Sequence, residues 1–236
     1  MTDGQPVIDA VAAALAPFDM AEDPGGRWDR WRINGGSVAR ALPVRAGGED
    51  DPRILRVSAP PEQWVPGRCD GAPRGLLDFA PDRAVARAHA EAEWAGWHAF
   101  ARRYPAARPV PEFLDRHGAH RGGDAFRAAQ RDFMSQPVIR AYMTEHGLDP
   151  DRFLWHAFND PVTVFGDDQV EYVRNRVARA IPTDELLRLD GVWLDYGDFS
   201  TGQFDEAAHD RYYRTADAYL DTLPDTAYVV RLRIHC

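Results

Sequence analysis

The chain has 236 residues, 44% of them hydrophobic, which is enough to fold and bury a core without disulfides. Its formal net charge of -9 opposes general affinity for nucleic acid or anionic membrane, since both reward a clustered positive surface. All 28 basic residues are arginine, and the absence of lysine excludes lysine Schiff bases, pyridoxal phosphate anchored on lysine, a Walker A loop, the kinase lysine and a Ser-Lys nucleophile.

Residues 6–16 carry Val7, Val11 and Leu15 on one stripe between Pro6 and Pro17, which predicts a short helix. The stretch Gly26 to Gly36 holds two tryptophans, three arginines and a Gly-Gly exit, and reads as a strand followed by a sharp turn. It lacks the G-x-G-x-x-G spacing of a dinucleotide site. A second strand, Val38 to Val44, is expected to pair back onto it as an edge strand because of Pro43. Residues 45–74, rich in Gly, Pro and acids, read as a long loop with at most a short strand at Arg53 to Val57.

A helical middle segment is expected over 82–180. It opens with a helix at 82–104, capped by Asp82, on which Ala90, Trp94, Trp97, Ala101 and Tyr104 form an aromatic core stripe. Shorter helices follow at Pro111 to His117, Asp124 to Met134 and Pro137 to His146, and Asp168 caps a further one through Val170, Val173 and Val177. Asp190-Gly191 turns a hairpin between Leu186–Leu189 and Val192–Asp195. A helix from Phe204 to Thr222 then leads to a last strand, Ala227 to His235.

Four segments together resemble an uncharacterised family of high-GC bacteria and their phages. They are Leu15 to Asp19, the tryptophan-rich strand through Ile33-Asn34-Gly35, the Cys-Asp-Gly-x-Pro-x-Gly loop at Cys69 to Gly75, and the Leu-Asp-Gly-x-Trp hairpin at Leu189 to Trp193. A fifth is the turn Leu223-Pro224-Asp225-Thr226 before the closing strand, which here ends Ile234-His235-Cys236 rather than in the family's Asp-Cys-His-Ile. The resemblance implies neither an activity nor a cofactor.

The last strand alternates Tyr228, Val230, Leu232 and Ile234 with Val229, Arg231, Arg233 and His235. If the tryptophan strand and the hairpin join its sheet, Trp28, Arg30, Arg32 and Arg188 share an open face with Arg231, Arg233 and His235. Guanidinium forks in such an array suit carboxylate or phosphate. The bland reading is a solvated sheet face balanced by Asp190, Asp195 and Glu185.

An enzymatic alternative rests on Cys69 as a thiol nucleophile, or on a His/Asp pair drawn from Asp70, His98 and His156, in a small-molecule reaction. A third reading, a protein-interaction module, uses the seven tryptophans for partner recognition. Cys69 and Cys236 read as free thiols, and His117-Gly118-Ala119-His120 lacks a third ligand, so no metal and no cofactor is expected. Without a membrane-length apolar run or a signal-peptide pattern at Met1 to Gln5, the expected location is the cytoplasm.

The expected fold is a single α+β domain over 1–236, with an antiparallel sheet of about four or five strands and long helices packed on one face. The expected function is that of an accessory or binding protein for an anionic small molecule or partner.

Overall fold

The computed structural model describes residues 5–23, 25–34, 41–118, 123–150, 152–156, 159–196 and 206–235. Helix α1 is Gln5–Leu15, α2 Ala80–Ala101, α3 Val110–Arg116, α4 Gly123–Met134 and α5 Pro137–Glu145. Helices α6, α7 and α8 are Pro161–Phe165, Gln169–Ala178 and Glu206–Thr222. The strands are β1 Arg30–Ile33, β2 Leu42–Pro43, β3 Arg68–Cys69, β4 Gly71–Pro73, β5 Glu185–Leu187, β6 Trp193–Asp195, β7 Tyr228–Val230 and β8 Leu232–His235. The chain is therefore α+β, and none of these helices is long and apolar enough to cross a membrane. Its contacts gather into two compact units: Met1–Asp82 with Glu185–Leu194 and Ala216–Cys236, and Arg83–Asp184 with Asp195–Thr215.

In the first unit the strands pair two by two, as β1–β8, β2–β3, β4–β7 and β5–β6, rather than in one sheet of four or five among the described residues. The expected return of Val38–Val44 onto the tryptophan strand is replaced by Leu42 opposite Cys69, while β1 takes β8 instead. Residues 35–40 of that expected strand lie outside the described ones. Strands of two to four residues cannot build a long ladder, and Pro43 and Pro73 each remove a donor from their pair.

The expected loop over 45–74 is largely built in. It contains β3 and β4, a 3₁₀ turn at Pro61–Gln63 and a bridge from Leu55 to Gly71. Two glycines there answer to close approach: a Cβ on Gly71 would lie 3.0 Å from the Val229 carbonyl oxygen, and one on Gly75 would lie 2.9 Å from Cβ of Asp225. The loop at Cys69–Gly75 is thereby fitted against β7 and the Leu223–Thr226 turn that precedes it. Arg74 adds hydrogen bonds from its guanidinium to the carbonyls of Leu220 and Leu77.

The second unit is helical, and its core is Trp97, Val110, Phe113, Ala129, Phe133, Val138, Ile139, Met143 and Trp155. Of the stripe expected on α2, Ala90 and Trp97 are buried, Trp94 and Ala101 are half-buried, and Tyr104 lies past the helix end; Trp97 stacks on Phe165 at 5.6 Å between centroids. Asp168 caps α7 by accepting from Val170 and Glu171 N–H, although the Val170 side chain points into solvent, 76% exposed. Helix α6 is an element the periodicity does not predict. Its start is set by Asp160, whose carboxylate accepts from the N–H of Val162.

Candidate functional site

Strand β1 alternates as its pattern dictates: Arg30 and Arg32 are exposed, Trp31 is half-buried and Ile33 is buried. Strand β8 does the same, with Arg233 and His235 exposed and Leu232 and Ile234 half-buried. The antiparallel register places Arg30 opposite His235 and Arg32 opposite Arg233. One open surface therefore holds three guanidiniums and an imidazole, about 5 Å apart across the strands and about 7 Å apart along them. Among the described residues, Arg30, Arg32 and Arg233 form no ion pair.

Two like charges directly opposite each other destabilise a strand pair by up to about 1 kcal/mol, so Arg32 and Arg233 form a mildly unfavourable contact that a bridging anion reverses. His235 is held differently. Its Nδ1 lies 2.9 Å from Oδ1 of Asp29, and because a carboxylate only accepts, Nδ1 carries the proton and donates. The N–H of Asp29 donates in turn to the His235 carbonyl.

The array is fixed by a buried carboxylate beneath the end of β1. Asn34 follows β1 with φ of 45°, a left-handed conformation that asparagine tolerates. Its N–H donates to the Arg231 carbonyl, and its Nδ2 donates to Asp70 at 2.8 Å. Asp70 is fully buried and also accepts from Val57 N–H at 2.7 Å, Ser58 N–H at 2.8 Å and the Ser58 hydroxyl at 2.6 Å. Its own carbonyl accepts from Arg231 N–H, so a single residue ties together β1, the 57–58 segment and the break between β7 and β8.

Of the seven residues expected on the open face, the structure brings together Arg30, Arg32, Arg233 and His235. Trp28 is instead a core residue, 9% exposed, with its indole N–H donating to the Leu15 carbonyl. Arg188 stands at the β5–β6 turn, paired with Asp190 at 2.5 Å and lying over the Tyr219 ring. That hairpin is a separate sheet, so Arg188 does not flank β8. Arg231 falls in the break between β7 and β8, half-buried, with its Nε shielded from solvent.

The residues of the enzymatic reading are placed for packing. Cys69 is fully buried, and burial pushes its thiol up to about 12, the opposite of what an activated nucleophile needs. Asp70 is occupied by the four donors above. His98 stacks on Trp94 and has Nε2 2.9 Å from the Gly166 carbonyl, and His156 has its pKa lowered by burial. Cys69 and Asp70 belong to the first unit, His98 and His156 to the second. Among the described residues no group of three or more His, Cys, Asp or Glu is placed to hold a metal ion.

Sequence reasoning missed Asp29 as the partner of His235 and Asn34 as the link from β1 to Asp70. The one available signal was Asn34 itself, an asparagine directly ahead of Gly35-Gly36, where a left-handed residue is common. Compared with family models, with curated proteins and with solved structures, the chain finds no match in any of the three.

Proposed function

We propose that the chain is a cytosolic binding protein for an anionic small molecule, held on the open face of the β1–β8 pair by Arg30, Arg32, Arg233 and His235. The observation that carries this reading is the register that sets Arg32 against Arg233 with no acid between them among the described residues. Guanidinium forks across a strand pair offer parallel N–H donors to phosphate or carboxylate, and such charge-assisted bonds are about twice as strong as neutral ones. The acidic remainder of the chain, with a net charge of -9, favours a small ligand over a polyanion that would span the surrounding surface.

The reading is tested by titrating inorganic phosphate and a hexose monophosphate into the protein by calorimetry. The control is the double variant Arg32→Ala with Arg233→Ala, its fold checked by circular dichroism. Saturable binding that weakens about tenfold or more in the variant supports the reading. Equal binding by the variant, or none by the wild type, removes it.

A further inference from the structure

We infer that the array consists of two unlike subsites and selects a ligand bearing two phosphate groups: Arg32 with Arg233 grips one phosphate at every physiological pH, and Arg30 with His235 grips the second when the imidazole is protonated. The inference rests on the anion-binding reading above and adds the class of ligand and its regulation.

The division follows from the register. Both members of the Arg32–Arg233 pair are guanidiniums, whereas the Arg30–His235 pair sets one guanidinium against an imidazole, which donates from both ring nitrogens only in its protonated form. The two pairs sit two residues apart along the strands, about 7 Å, which suits two phosphates on separate atoms of one small molecule rather than a single orthophosphate.

Asp29 makes the second subsite a switch in hydrogen-bond polarity as well as charge. With Nδ1–H committed to Asp29, a neutral His235 presents a lone pair at Nε2, which repels a phosphate oxygen. Protonation places a second N–H there and turns repulsion into donation. The charged groups beside His235 among the described residues are Asp29 at its Nδ1, Arg30 opposite and Arg233 on the same strand face. Asp29 engages the ring edge away from Nε2, so its carboxylate orients the switch without filling the subsite.

The experiment compares a hexose bisphosphate with the matching monophosphate by calorimetry, at about pH 5.5 and about pH 8, on the wild type and on His235→Gln. Titration of the phosphates themselves is common to both proteins, so the difference between them isolates the imidazole. In the wild type the bisphosphate is expected to bind about tenfold tighter than the monophosphate at the lower pH, with that ratio falling several-fold at the higher pH. In His235→Gln the ratio is expected to stay at its small value at both.

Equal affinity for both ligands at both pH values, with binding still lost in Arg32→Ala/Arg233→Ala, overturns the two-subsite inference and leaves a single anion site. A large ratio that survives in His235→Gln also overturns it, because the second phosphate is then held elsewhere. Binding of neither ligand by the wild type overturns the anion-binding reading itself.

Discussion

Asp70 in the first unit and Asp160 in the second are both fully buried carboxylates, yet they hold different kinds of structure. Asp70 receives its donors from Asn34, Val57 and Ser58, none closer than 12 residues in sequence. Asp160 receives two of its donors locally, from Val162 and Thr163 in the helix it caps, and one from Val110, 50 residues away. The contrast follows the packing around each. The second unit is knit by rings such as Trp97 on Phe165 and Phe133 on Trp155, and its carboxylate mainly starts a helix. The first unit is made of very short strands, and a buried acceptor supplies the long-range ties that their ladders are too short to give.

The sharpest way to break this comparison is to remove each carboxylate. Asp70→Ala strands four donors at separate segments and is expected to cost about 4 kcal/mol, a loss read from urea denaturation midpoints. Asp160→Ala, with two of its three side-chain donors inside one helical turn, is expected to cost about 2 kcal/mol. Equal losses, or a larger one at Asp160, would end the distinction. Gly75→Ala brings a Cβ to 2.9 Å from Asp225 and is expected to cost about 1–2 kcal/mol through overpacking. A neutral result would show that the Asp225 turn moves aside freely.

The pH dependence sharpens the comparison further. Burial raises the Asp160 carboxyl above its ordinary 3.8, so the folded chain holds that proton more tightly than the unfolded chain. Its contribution to stability is complete below 3.8 and declines as pH rises through the raised folded value. The stability gap between wild type and Asp160→Ala should therefore narrow from acid toward neutral pH. A constant gap would contradict the burial effect. Asp51, in the first unit, runs the other way. The hydrogen bonds from Arg53 hold it at about 2, so its contribution is present above 3.8 and is lost as pH falls through that low value, and solvent around the exposed Arg53 guanidinium keeps it small. The smallest expected effect is at Cys69, which iodoacetamide should modify only slowly at neutral pH until denaturant is added. Fast labelling in the folded state would show that the 68–75 segment opens.

What was legible in the sequence was periodic. The alternation at Arg30–Ile33 and at 232–235 foretold which side chains share a face, Asp190-Gly191 foretold its hairpin, and the spacing of Trp94 and Trp97 foretold a buried stripe. The irregular remainder was not legible for a physical reason. Asp70 and Cys69 sit among Gly, Pro and charged residues that read as a solvated loop, and their partners, Asn34 for Asp70 and Leu42 for Cys69, are ones that no local period reveals. For Asp160 a signal did exist, since Asp-Pro followed by Thr at the third position fits a capped helix start with proline at its first residue. The site was half legible: parity grouped Arg30, Arg32, Arg233 and His235, but it also swept in Arg231, which a backbone break half-buries, and Arg188, which belongs to another sheet.

The pairing of β1 and β4 with the ribbon that runs from Tyr228 to His235 sets a timetable for assembly. Asp29 and His235 are 206 residues apart, so the amino-terminal half of the first unit leaves the ribosome as two strand edges whose partners have yet to be translated. Most of the helical unit is made in the interval and folds from nearer contacts. A premature stop before Tyr228 would leave both edges bare, and unpatched edges of this kind recruit one another into aggregates.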